Sequence, residues 1–168
     1  MPNLSLAALV ASCFIQIGAQ LFALVVVAGT VASAPPRSFA MFEGAYGYNS
    51  SGFWNVVPLI TSALFVIALI ANWKTGRRKL LLIALALFLT AGLVAVLVVE
   101  PVFSEMIAIG YSDRVDPVLQ SGVAKWYALD WMVWGLGAIA GVSLLLALMQ
   151  PATSPKQAVM SSAAAPNQ

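Results

Sequence analysis

Four long apolar stretches alternate with shorter polar segments along the chain. They cover about residues 6–31, 53–73, 80–99 and 126–149. A bilayer's hydrocarbon core of about 30 Å needs about 20 helical residues, so each stretch predicts a transmembrane helix. We expect Pro35 to follow the end of the first helix, Glu100-Pro101 to stop the third, and the fourth to begin near Trp126.

This pattern predicts an all-α, polytopic membrane protein: a four-transmembrane-helix bundle with two long outer connections that cap one end. We expect residues 1–150 to form this single domain. Residues 151–168 are rich in Ala, Ser, Pro and Gln, and we expect them to form a disordered cytoplasmic tail.

Composition supports the membrane assignment and narrows the chemistry. Of 168 residues, 61% are hydrophobic and only 8% are charged, whereas soluble domains carry about 25% charged residues. A net charge of +2 gives no reason to expect a nucleic-acid partner. The chain has one cysteine and no histidine, so it offers neither a disulfide framework nor the commonest metal ligand. We expect no metal and no cofactor.

The charged residues predict an orientation. Lys74, Arg77, Arg78 and Lys79 lie in one short loop between the second and third stretches, and such loops stay in the cytoplasm. Four crossings then place both termini in the cytoplasm. All six acids fall at the opposite end: Glu43, Glu100, Glu105, Asp113, Asp116 and Asp130. We expect a bacterial inner membrane, with the lipid bilayer as the main partner.

Three polar side chains share one face of the first helix. Ser12, Gln16 and Gln20 are spaced four residues apart, and an amide facing lipid is costly, so this stripe should face the bundle interior. Two interpretations stay open. The stripe either makes hydrogen bonds that hold the helices together, or it lines a polar cavity.

Two acids lie at the predicted membrane boundary, and we regard Glu100 and Asp130 as candidate catalytic residues. A carboxylate at this depth is expensive unless it faces a partner, a pocket or water. Either the two acids pair with Arg37, Arg114 or Lys125, or they work as acids in a lipophilic pocket. The candidate pocket-lining residues are Gln16, Gln20, Trp54, Asn55, Trp126, Trp131 and Trp134.

The tryptophans have their own two interpretations. Trp54 and Trp126 open apolar stretches, a position typical of anchors at the membrane interface. Trp131 and Trp134 lie deeper and, three residues apart, share a helix face. They either pack within the bundle or stack against a bound ligand.

The chain resembles the anthrone-oxygenase-like family of small four-helix membrane proteins. The resemblance rests on Pro35 after the first span, Trp54 at the start of the second, and Glu100-Pro101-Val102-Phe103 after the third, followed by Asp113-Arg114, Lys125-Trp126 and Trp134. It implies cofactor-independent oxygenation of a polycyclic phenolic carbon acid. A carboxylate such as Glu100 or Asp130 would take the proton before oxygen reacts with the carbanion.

Three function classes follow. The first is a membrane protein with a lipophilic pocket at its outer end, either binding or oxygenating a hydrophobic aromatic small molecule. The second is a non-catalytic accessory or structural subunit that packs against a membrane protein partner or another copy of itself. The third, a small transporter or channel, needs a polar path across the bilayer, and the purely apolar third stretch argues against it.

Overall fold

In the computed structural model, which describes residues 2–152, the chain is helical with no strand in that range. The long helices are α1 (Pro2–Ser33), α2 (Ser51–Asn72), α3 (Arg78–Ile107) and α4 (Pro117–Met149). Each is long and apolar enough to cross a membrane, which confirms the predicted four-helix membrane bundle. Most of the predicted disordered tail, from residue 153 onward, lies outside the described residues.

Two helix boundaries differ from the sequence expectation. Glu100-Pro101 does not stop α3, which continues to Ile107. A π-helical turn, Ala95–Val99, comes directly before this point and widens the backbone where the proline ring would clash with a regular helix. The resulting helix of 30 residues is about 45 Å long and extends beyond a bilayer core.

The helix α4 begins at Pro117 rather than near Trp126. The Asp116 carboxylate caps it, because Oδ1 accepts hydrogen bonds from the backbone N–H groups of Val118 (2.8 Å) and Leu119 (3.3 Å). Proline suits the first helical position, where its missing N–H has no partner to lose. The cap is a local signal that the apolar pattern did not reveal.

The inner core packs α4 against α1 and α3, and α1 against α2. Its buried members include Leu9, Phe65, Leu81 and Leu144, one from each helix. The rings of Phe65 and Phe88 lie 5.1 Å apart and join α2 to α3 in this half of the bundle. Helix α4 is the most buried of the four and forms the centre of the packing.

A second buried cluster lies at the opposite end, and we call it the outer cluster. Its core comprises Ala28, Val31, Phe39, Ala91, Val99, Met106, Val123, Trp126 and Val133. These residues come from α1, the 3₁₀ helix Arg37–Phe42, α3 and α4, and none of those described comes from α2. The connection between α1 and α2 (residues 34–50) meets the connection between α3 and α4 (residues 108–116) above this cluster. There the Asp116 N–H donates to the Pro35 carbonyl at 3.0 Å. Helix α2 therefore stands apart from the rest at this end.

The other end, which we call the basic end, is closed by Arg77, whose side chain is 3% exposed. Its guanidinium donates to the carbonyl of Gln150 (2.8 Å from Nε) and to Oδ1 of Asn3 (2.7 Å). Asn72, also buried, donates to the carbonyl of Pro2 at 3.3 Å. The buried charge thus lies at the C-terminus of α4, where free carbonyls and the helix dipole favour a cation.

Candidate functional site at the acidic end of the bundle

The polar stripe of α1 begins with contacts to α2 in the middle of the bilayer. The Ser12 and Thr61 hydroxyl oxygens lie 2.7 Å apart, and the Gln16 amide donates to the same Thr61 oxygen. Thr61 in turn donates to the carbonyl of Val57 at 3.0 Å. Ser12 and Gln16 therefore make interhelical hydrogen bonds, one of the two roles that the spacing allowed.

The next member of the stripe, Gln20, reaches α4 instead. Its amide Nε2 lies 3.2 Å from Oδ1 of Asp130 and donates a hydrogen bond to it. Asp130 is half-buried and shares a helix face with the buried Trp126 and Val133, so it points toward the bundle interior. The two helices are therefore joined by a polar contact at the acidic end.

The depth of Asp130 follows from the helix geometry. It lies 20 residues before Gln150, which is about 30 Å along α4 from the basic end. This distance equals the thickness of a bilayer's hydrocarbon core, so a bilayer whose core begins at the basic end would place the carboxylate at its far boundary.

Glu100 and Asp130 differ in exposure. Glu100 is exposed on α3, whereas Asp130 is half-buried on α4. The cations considered as partners, Arg37, Arg114 and Lys125, are all exposed. Among residues 2–152, the hydrogen-bond partner of Asp130 is thus the Gln20 amide and not one of these cations.

Trp131 and Trp134 lie half-buried next to Asp130 and contact each other edge to face, with ring centroids 5.5 Å apart. The Trp134 indole N–H also donates to the carbonyl of Ile17 at 3.2 Å, which fixes that ring against α1. Tyr127 extends the row, at 6.2 Å from Trp131. These rings form an aromatic wall on the acidic half of α4.

Trp126 is placed differently from the other tryptophans of α4. It is buried in the outer cluster and stacks on Phe103 at 5.0 Å between ring centroids. Its indole nitrogen Nε1 is buried without a hydrogen-bond partner among the described residues. Since a buried donor without a partner is uncommon and costly, this atom needs an explanation. Phe103, which the sequence placed in the segment after the third stretch, was not among the candidate pocket-lining residues.

The two candidates on α2 do not join this group by any observed contact. Asn55 is exposed, and Trp54 is half-buried against Phe53, with ring centroids 4.9 Å apart. Among the described residues, α2 contributes nothing to the outer cluster, and its acidic-end half carries exposed apolar side chains.

The chemistry available here is that of carboxylates and an amide. Asp130 has lone pairs beyond the one that Gln20 uses, so it can accept a hydrogen bond or a proton from a bound molecule. Within residues 2–152, no three His, Cys, Asp or Glu side chains lie together as a metal site would require. The carboxylate and amide groups present suit binding or proton transfer.

No protein-family model, no curated protein and no solved structure matches this chain. The similarity to anthrone-oxygenase-like proteins stays a prediction.

Proposed function

We propose that this protein binds a lipophilic small molecule at the acidic end of its bundle, with the Asp130 carboxylate as the acceptor for a hydroxyl or another polar group. One observation carries the proposal. Asp130 is half-buried on α4, and its hydrogen-bond donor among the described residues is the neutral Gln20 amide rather than a lysine or an arginine.

This arrangement is poorly suited to a purely structural contact between two helices. A carboxylate that only held two helices together would be expected to pair with a cation, because an uncompensated charge at this depth is costly. A polar ligand group repays part of that cost by occupying the lone pairs that Gln20 leaves free.

The surroundings favour an aromatic ligand that enters from the bilayer. Trp131 and Trp134 present ring faces and edges next to Asp130, and aromatic pairs are worth about 0.5–1.5 kcal/mol beyond the area they bury. A lateral route beside α2 would suit such a ligand, since none of the described residues of that helix belongs to the outer cluster.

A catalytic version of the same proposal needs only oxygen as co-reactant. Asp130 would accept a proton from an acidic CH₂ carbon of a phenolic substrate, and the electron pair left on that carbon would form the new bond to O₂. The resulting peroxide would take up the proton and lose water, which leaves a carbonyl at that carbon. This is the cofactor-independent chemistry that the family resemblance implies, and Glu100 would then hold or release the proton.

We also propose that the basic end faces the cytoplasm of a bacterium and that the chain lies in its inner membrane. The loop with Lys74, Arg77, Arg78 and Lys79 supports this orientation through the positive-inside rule. Both termini would then be cytoplasmic, and the candidate site would open at the outer boundary of the membrane.

A second candidate function is that of a non-catalytic subunit. It is favoured by the exposed apolar residues on the acidic-end half of α2, among them Val56, Leu59 and Ile60. A helix of a membrane protein partner, or of a second copy, would cover this side and close the bundle through van der Waals packing.

Native mass spectrometry of the protein extracted gently from its own membrane separates the two. We expect a co-purified aromatic or lipid-like molecule in the wild type, lost in Asp130→Asn and retained in Asp113→Asn, a matched change at an exposed loop residue. Asparagine still accepts from Gln20, so the fold should survive. A stoichiometric protein partner with no small molecule would contradict the binding function and support the subunit.

A further inference from the structure

A groove of about 430 Å³ lies at the basic end of α2, far from the acidic site. It is lined by Leu69, Ile70, Ala71, Trp73 and Lys74. Ile70 is 72% exposed and Trp73 is 49% exposed, so the groove opens on the lipid-facing side of α2, where lipid tails contact the helix. An apolar groove with a lysine at its polar end matches the division of a phospholipid into chain and headgroup.

The cations beside the groove are free to bind a ligand. Lys74, Arg78 and Lys79 are all exposed, and the Arg78 guanidinium carbon lies 5.1 Å from the centroid of the Trp73 ring. Trp73 is thus flanked by Lys74 in the groove and by Arg78 above its ring. Arg77 is different, because its guanidinium is buried and bonded to Asn3 and to the end of α4.

No acid competes for these cations. The sequence contains no Asp or Glu from Gly44 to Val99, a range that covers all of α2, the loop and the membrane-spanning part of α3. The helix ends that Arg77 joins, near Asn3 and Gln150, carry no acid either. The basic end therefore has a positive potential at the level of the lipid headgroups.

We propose that this groove binds an anionic phospholipid. The phosphate lies between Lys74 and Arg78, the glycerol region contacts the Trp73 ring, and an acyl chain follows the wall formed by Leu69 and Ile70. The occupant is a lipid rather than a free phosphate, because the apolar walls face the bilayer and a soluble anion would leave them unused.

Lipid titration followed by native mass spectrometry tests the site. The purified protein is titrated with phosphatidylglycerol or with phosphatidylcholine of the same acyl chains. We expect the wild type to retain one phosphatidylglycerol preferentially. K74Q/R78Q should weaken that binding by roughly thirtyfold, about 2 kcal/mol for two cations at the headgroup level. R37Q/K125Q, which removes two exposed cations at the acidic end, should leave it unchanged.

Three results would overturn the proposal: equal retention of the two lipids, equal loss in both double variants, or displacement of the bound lipid by millimolar glycerol 3-phosphate. Lys79 and Arg77 stay in place in K74Q/R78Q to preserve orientation. If circular dichroism shows that this variant is not folded, K74Q alone carries the test, with an expected loss of about fivefold.

Discussion

The amide nitrogen of Gln20 lies 3.2 Å from a carboxylate oxygen of Asp130, and this contact joins the first helix to the last at the membrane boundary. It is the polar link between α1 and α4 on which the proposed site is built. Both side chains are half-buried. Removing either one therefore leaves the polar group of the other in apolar surroundings without its hydrogen bond.

Gln20→Met should destabilise the bundle by about 1–2 kcal/mol, because Asp130 loses its donor while it stays half-buried. Gln120→Met, at an exposed position near the start of α4, should change stability by less than about 0.5 kcal/mol. Reversible unfolding in mixed micelles measures both. A double-mutant cycle with Asp130→Leu should give a coupling of about 0.5–2 kcal/mol, and additive effects would contradict the direct contact.

Arg77→Gln should be the most destabilising substitution of a charged residue, with a loss of about 3 kcal/mol or more. The substitution leaves the Gln150 carbonyl and the side chain of Asn3 without their hydrogen-bond donor at the basic end of the bundle. Arg77→Lys should rescue little, since an ammonium cannot reach these acceptors with the planar geometry of a guanidinium.

Arg78→Gln is the matched control, because Arg78 is exposed and its guanidinium lies over the Trp73 ring rather than in the core. Its stability should change by less than about 0.5 kcal/mol in the same unfolding assay. Equal effects of the Arg77 and Arg78 substitutions would show that the buried network does not hold the basic end together.

The sequence predicted the parts of the fold that depend on local periodicity. Apolar runs of about 20 residues gave the four helices, and the spacing of Ser12, Gln16 and Gln20 gave a shared face. Both properties depend on residues within a few turns of one another. The structure adds which helix each residue meets: α2 for the first two, α4 for Gln20.

The parts that sequence missed depend on distant partners or on backbone detail. Nothing local distinguishes Arg77 from Arg78, yet Arg78 is exposed whereas Arg77 is buried, with hydrogen bonds to the start of α1, the end of α2 and the end of α4. The continuation of α3 through Pro101 depends on a π-helical turn that hydropathy does not encode. Likewise, Trp126 has the position of an interface anchor in sequence but belongs to the outer cluster.

Trp126→Phe should cost less than about 1 kcal/mol. The substitution leaves some unfilled space, but it also removes an indole N–H that has no partner among the described residues. Trp134→Phe is the matched variant, since its N–H donates to Ile17, and it should be the more destabilising by about 1 kcal/mol. The same unfolding assay compares the two.

If Trp126→Phe is instead more destabilising than Trp134→Phe, the Trp126 indole N–H has a hydrogen-bond acceptor in solution. A bound water or a polar group of the ligand would serve. In that case Trp126→Phe should also lower the amount of small molecule that co-purifies with the protein, which native mass spectrometry detects.

The last prediction concerns Tyr111, which lies between α3 and α4, outside the membrane-spanning helices. Its hydroxyl donates a hydrogen bond to the Asp113 carboxylate, and both this bond and the negative charge raise the pKa of the phenol above its ordinary value. Because the folded pKa is raised, the contact stabilises the fold at pH values below the pKa of the unfolded phenol. That contribution disappears as the pH rises through the folded pKa.

Asp113→Asn should therefore lower the pKa of Tyr111 toward the ordinary value, near 10. The tyrosinate absorbance of the variant, followed against pH, should rise at lower pH than in the wild type, and Tyr111→Phe identifies the component that moves. Asp116→Asn removes an equal charge from the same connection but acts at the cap of α4, so it should leave the Tyr111 transition in place. Identical titrations of the wild type and Asp113→Asn would mean that the two side chains are not in contact in solution, because neither the hydrogen bond nor the charge could then act on the phenol.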